Sequence, residues 1–226
     1  MDDLFYYLSN MYFTEDFTKF FKGLAAHNDR DWFNDHKKDY EEYVKAPFQN
    51  LVADLIDATN SKLEIKDSVF RIYRDVRFSK DKTPYQLHVS AIVSDGGRKN
   101  MQIPGLYLHL SAEEHHIGGG MYSPDKENLM KIRKAIIANP KKLEKLLADE
   151  DFKRIYTTLK GDKNKILPKE IKGKDAGNPW VYNKQFYFMA EYHDEGIPLR
   201  KDLLEFILSH HRAGENFFNY FAKILS

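Results

Sequence analysis

Between residues 69 and 120 the chain offers four short runs of alternating apolar and polar residues, joined by links that carry turn signals. Alternation with a period of two places neighbouring side chains on opposite faces of a strand. Short links favour antiparallel pairing, because parallel neighbours require a long crossover. In the first run, residues 69–73, Phe70 and Ile72 point one way while Arg71 and Tyr73 point the other. In the second, residues 87–93, Leu87, Val89, Ala91 and Val93 share a face, with His88 and Ser90 opposite. Runs at 105–110 and 115–120 follow, and a fifth strand is expected at 186–192. Pro84 and Asp95-Gly96-Gly97 mark the intervening turns.

Pairing in this order produces one aliphatic face that packs on helices. The other face displays Arg71, Tyr73, His88, Ser90, Tyr107 and His109. It reads either as a solvated outer face or as the floor of a polar cleft, since a pocket needs only a few convergent polar groups.

Helical periodicity covers most of the rest. Residues 1–62 read as helical, with Phe17, Phe20, Phe21 and Leu24 in one stripe and a cap at Asn28 or Asp29. Trp32, His36, Tyr40 and Tyr43 share the next face, and Pro47 opens a third helix that Asn60 and Ser61 close. Ser123-Pro124-Asp125 reads as a helix start, with Ser123 as the cap. Residues 123–159 read as helical and 160–185 as a long loop, before the strand at 186–192. Residues 198–225 read as a helical tail that Ala213-Gly214 interrupts. Lysines and arginines at 131–145, Arg133 among them, read as solvated faces. The expected architecture is a single α+β domain, residues 1–226, with about five mainly antiparallel strands.

Charge gathers between the first two strands. Arg71, Arg74, Arg77, Lys80 and Lys82 stand against only Asp75 and Asp81. Arginine grips planar oxyanions bidentately and lysine adds a point charge, so the segment suggests a phosphate or carboxylate cradle. The alternative is an ion-pair network that serves the fold alone. Gly118, Gly119 and Gly120 ahead of a helix form a second anion signal, although neither a Walker loop nor a dinucleotide fingerprint is present; the alternative is glycine that allows a bulge or tight packing. For proton transfer the candidates are His88, with Asp75 orienting the arginines and Tyr85 completing the pocket. His109, His115, His116, Glu113 and Glu114 match no strong metal spacing, so no metal site is assigned.

A net charge of only +1 argues against a duplex DNA binder, whose affinity comes largely from neutralised phosphates. No cysteine is present, which removes thiolate chemistry and disulfides. The N-terminal stretch lacks the features of a signal peptide, and no apolar run is long enough to span a membrane. A cytoplasmic protein is therefore expected, without a membrane partner; neither a cofactor nor an oligomeric state can be named.

The residues FRIYRDVRFSKDKTPY (70–85), NDRDWF (28–33) and the Gly-Gly-Gly run with its helix resemble domain-of-unknown-function family 2461, a group of bacterial and fungal proteins. The likeness runs from the Phe17 helix to the Phe186 strand. Pro168, Asp175 and Pro179 answer that family's proline-bearing loop, although residues 169–174 depart from its pattern. The resemblance implies one α+β domain and brings no reaction with it. The functional expectation is a protein that binds or acts on a small anionic ligand. Alternatives are a single-stranded nucleic-acid module using the lysine-rich loop, or a protein-interaction scaffold.

Overall fold

The structure, a computed structural model, describes residues 11–226. The expected helical character of residues 1–10 and the reading of that stretch as free of signal features fall outside the described residues.

The fold is α+β. Four strands, β1 (His88–Val93), β2 (Gly105–Ser111), β3 (His115–Met121) and β4 (Phe186–Tyr192), form one antiparallel sheet in the order β1-β2-β3-β4. The expected strand at 69–73 does not form as a continuous ladder. Only two isolated antiparallel bridges hold it, Val69 to Ala91 and Tyr73 to Tyr85. The first side of that pairing advances four residues while the second advances six, so two residues bulge from the β1 side. Phe70 N–H donates to Ser90 O at 2.9 Å and Gln86 N–H donates to Ile72 O at 2.8 Å. Arg71 therefore faces an arc of Leu87, His88 and Val89. Leu87, expected on the buried face, is 41% exposed because the bulge turns it outward.

By internal contacts the chain divides into two compact units. The first comprises Met1–Val93, Tyr107–His116 and Glu191–Leu208. Its helix α1 (Glu15–Ala26) starts at Thr14, whose side chain accepts from Asp16 N–H, and buries Phe17, Phe20, Phe21 and Leu24 as the stripe requires. Asp29 caps α2 (Arg30–Asp35) by accepting from Trp32 N–H. A π-helical turn, Tyr40–Lys45, leads into α3 (Ala46–Ala58), with Pro47 in its first turn and Phe48, Leu51, Val52 and Leu55 buried. Asn60 adopts φ 52° and ends the run. The short α4 (Ile65–Ser68) is tied to β1, since Ser68 Oγ donates to Ile92 O at 2.7 Å.

The second unit comprises Ser94–Leu106, Ile117–Ala190 and Ser209–Ser226. It contains α5 (Lys126–Ala138), α6 (Pro140–Leu147), α7 (Glu150–Tyr156) and most of the terminal helix α8 (Leu203–Leu225). Asp125, not Ser123, caps α5, accepting from Asn128 N–H at 2.8 Å. Arg133 is buried at 2% exposure instead of solvated, because it lies on the same stripe as Ile132 and Ile136. Its guanidinium donates to Asn183 O at 3.1 Å, and burial lowers its pKa. Ala213-Gly214 does not break α8. A Cβ at Gly214 would lie 2.6 Å from the Phe188 ring, so glycine there permits close packing. Phe152, Phe188 and Phe217 form the centre of this core.

Candidate functional site

Within the first unit a cavity of about 330 Å³ is lined by Phe70, Arg71, Tyr73, Asp75, Gln86, His88, Ser90 and Tyr107. Its position follows from the local backbone. Gln86, His88 and Ser90 share parity and turn one face to the cavity, while the bulge spreads them away from Arg71 and Tyr73 across the gap. Five of the six residues expected on the polar face of the sheet thus meet at one hollow. The sixth, His109, stands behind His88, with ring centroids 3.9 Å apart and planes inclined by 23°.

What distinguishes this cavity is unspent hydrogen-bonding capacity. Among the described residues the side chains of Arg71, Gln86, His88 and Ser90 have no hydrogen-bond or ion-pair partner. Ser90 is only 5% exposed. Of the four only Ser90 is buried; Gln86 and His88 are half-buried and Arg71 is exposed, so these groups are open to a ligand and not sealed in the core. His88 is pushed down to about 4 by burial, reinforced by the charge of His116 and opposed by Glu114, and is neutral near pH 7. It can accept a hydrogen bond there, but its lowered value makes it a weak base, and near pH 7 it carries no proton to give as an imidazolium.

Apart from Arg71, the expected cation cluster does not converge. Arg77 is spent on Asp75, donating from Nε at 2.9 Å and from the guanidinium terminus at 2.7 Å. That pairing, first through the side chain and then through the Arg77 N–H, holds Asp75 down at about 2. Arg74 donates to Asp81 at 2.5 Å, to Thr83 O at 3.2 Å and to Thr83 Oγ1. Asp81 is held at about 2 by the Thr83 N–H and then by Arg74. Lys82 donates to Val76 O at 2.9 Å, and Lys80 is exposed without lining the cavity. These bonds stitch the excursion at 74–84 to itself. Pro84 has no N–H, and the pairing there uses its carbonyl to accept from Arg74 N–H at 2.9 Å.

Tyr85 also lies outside the cavity lining. It is 3% exposed, stacked on Phe33 at 4.0 Å, and its backbone is gripped in both directions by the Asn28 side chain. Gly118, Gly119 and Gly120 lie within β3, so no helix follows them directly. A Cβ at Gly118 would stand 2.2 Å from Phe188 O, one at Gly119 2.4 Å from Gly105 O, and Gly120 has φ +113°. Their role in the second unit is close backbone packing.

Gln86 and Phe70 are the lining residues that sequence reasoning missed: the parity of Gln86 with His88 and Ser90 was available, whereas alternation placed Phe70 on the opposite face. A column of imidazoles was also unforeseen. His88 on β1, His109 on β2 and His116 on β3 stack in succession at 3.9 and 4.6 Å. His109 is pushed down to about 3 by burial and then by its histidine neighbours, and its Nδ1 lies 3.5 Å from Tyr107 OH. His116 Nε2 contacts Glu114 at 2.8 Å. His115 turns the other way and is fully buried, with Nε2 3.0 Å from Asp194 O. Stacked rings point their nitrogens along parallel planes, and no group of three or more His, Cys, Asp or Glu among the described residues is arranged to hold a metal ion.

No helix among the described residues is long and apolar enough to cross a membrane. A family model described as Conserved hypothetical protein (DUF2461) matches residues 16–220. Comparison with curated proteins and with solved structures finds no match.

Proposed function

The chain belongs to the conserved hypothetical family DUF2461, and from that premise, which brings no reaction with it, we propose that the cavity binds a small anionic ligand through Arg71. The observation that supports this reading is the guanidinium of Arg71, which lines the cavity and carries no ion pair or hydrogen bond among the described residues. Arginine presents a planar fork to carboxylate or phosphate oxygens, and a pairing inside a recessed site is screened less than one on open surface. Gln86 and Ser90 supply orienting hydrogen bonds, and neutral His88 adds one ring N–H donor and one ring-nitrogen acceptor. Asp75, bonded to Arg77, sets a negative limit at the rim and favours ligands whose anionic group is confined to one end. One unspent guanidinium is too little for a polyanion, whose affinity grows with the number of phosphates neutralised. That weighs against the single-strand reading.

Titration of acetate and of inorganic phosphate into labelled protein tests the proposal. Saturable shifts at the Ser90 and His88 amides are expected, and Arg71→Ala should abolish them. Because Arg71 is exposed and unbonded, the variant should keep its stability to within about 0.5 kcal/mol. No saturable shift in the wild type, or equal binding by the variant, refutes it.

A further inference from the structure

The imidazole column points at the cavity. Each step, from His116 to His109 to His88, crosses from one strand to its neighbour in the sheet, β3 to β2 to β1. The next neighbour beyond β1 is the segment bridged at Val69 and Tyr73, and where it would supply a fourth ring it supplies Arg71, held off by the bulge on the β1 side. The place that continues the stack is thus the cavity itself, which His88 lines. Phe70, Tyr73 and Tyr107 add aromatic wall on the other sides. The cavity, about 330 Å³, suits one ring with a short anionic substituent better than a bare ion.

We propose that the ligand is an aromatic or heteroaromatic anion, whose ring stacks on His88 as the next member of the column while its carboxylate or phosphate meets Arg71. This rests on the anion reading above and adds the ring. Offset stacking of two aromatic rings provides selectivity beyond simple burial. His109 then acts as a positioning residue: it backs the His88 ring and keeps that ring's plane parallel to the incoming one.

Three simple compounds separate the ring from the charge: acetate carries only the anion, benzamide only the ring, and benzoate both. Binding is read from imidazole carbon-bound proton shifts of His88 and from calorimetry on the full chain. Benzoate is expected to bind roughly three- to tenfold more tightly than acetate, the range an aromatic contact supplies. It should shift the His88 ring protons upfield by ring current, and benzamide should shift the same protons. His109→Leu should reduce benzoate and benzamide affinity by about threefold or more while leaving acetate unchanged. Equal affinity for acetate and benzoate, with benzamide silent, overturns the ring and leaves the anion reading intact. Benzamide binding with acetate silent does the reverse. Tighter, steeply salt-dependent binding of oligothymidylate than of benzoate overturns the small-molecule class.

Discussion

Acidification should loosen this fold before its tightly held carboxylates titrate, and the imidazole column sets the size of the effect. Burial holds His88 at about 4 and His109 at about 3, against an ordinary value of 6.5. Below pH 6.5 the unfolded chain therefore binds more protons than the folded one. Stability present above that pH is lost as the pH falls toward the folded values. For His88 alone the displacement is worth roughly 3 kcal/mol, at about 1.36 kcal/mol per pKa unit. His109 is displaced further, but the rings touch and titrate as a pair, so the joint effect is taken as roughly 3–5 kcal/mol. Against a usual total of about 5–15 kcal/mol, that is a large fraction. Urea unfolding of the wild type from about pH 7 to about pH 4.5 should show this decline, and the double variant His88→Leu, His109→Leu should flatten most of it. Buried His115 and half-buried His211, both lowered by desolvation, leave a smaller slope in the variant. Asp75 and Asp81, held at about 2, enter only at lower pH. Parallel losses in wild type and variant, or NMR titration of both His88 and His109 near 6.5, would refute the reasoning.

Arg74→Ala should lower stability by about 1 kcal/mol, because it releases Asp81 and Thr83 and frees the 74–84 excursion. Acetate binding should persist, and its loss in calorimetry would return Arg74 to the site. Gly119→Ala should cost roughly 2 kcal/mol or more by thermal unfolding, since its Cβ meets Gly105 O at 2.4 Å and the Phe218 ring at 2.6 Å. An unchanged midpoint would mean that the backbone there yields freely.

Periodicity made much of the fold legible. Phe17, Phe20, Phe21 and Leu24 are buried along one helical stripe, and Leu106, Leu108 and Leu110 along one strand face, because both patterns repeat at the spacing of the backbone itself. The same alternation placed Arg71, Tyr73, His88, Ser90 and Tyr107 on one face, and the cavity gathers all five. It misplaced Arg133, since a helix carrying a basic residue every few positions gives no sign of which one turns inward. For Gly118, Gly119 and Gly120 it left an anion site and tight packing both open, because glycine next to a helix and glycine under a crossing chain look alike in one dimension.

The amino-acid order by itself determined the helical stripes, the two faces of the sheet and the neighbourhood in which polar side chains collect, because each depends on spacing along one chain. Only the tertiary structure decided which cations are paired and which one lines the cavity. Asp75 takes Arg77 and Asp81 takes Arg74 because the backbone at 74–84 folds back on itself, and two extra residues opposite Arg71 open the hollow it lines. Charge pairing and ring stacking are fixed by distances across the fold, and spacing along a strand does not carry those distances.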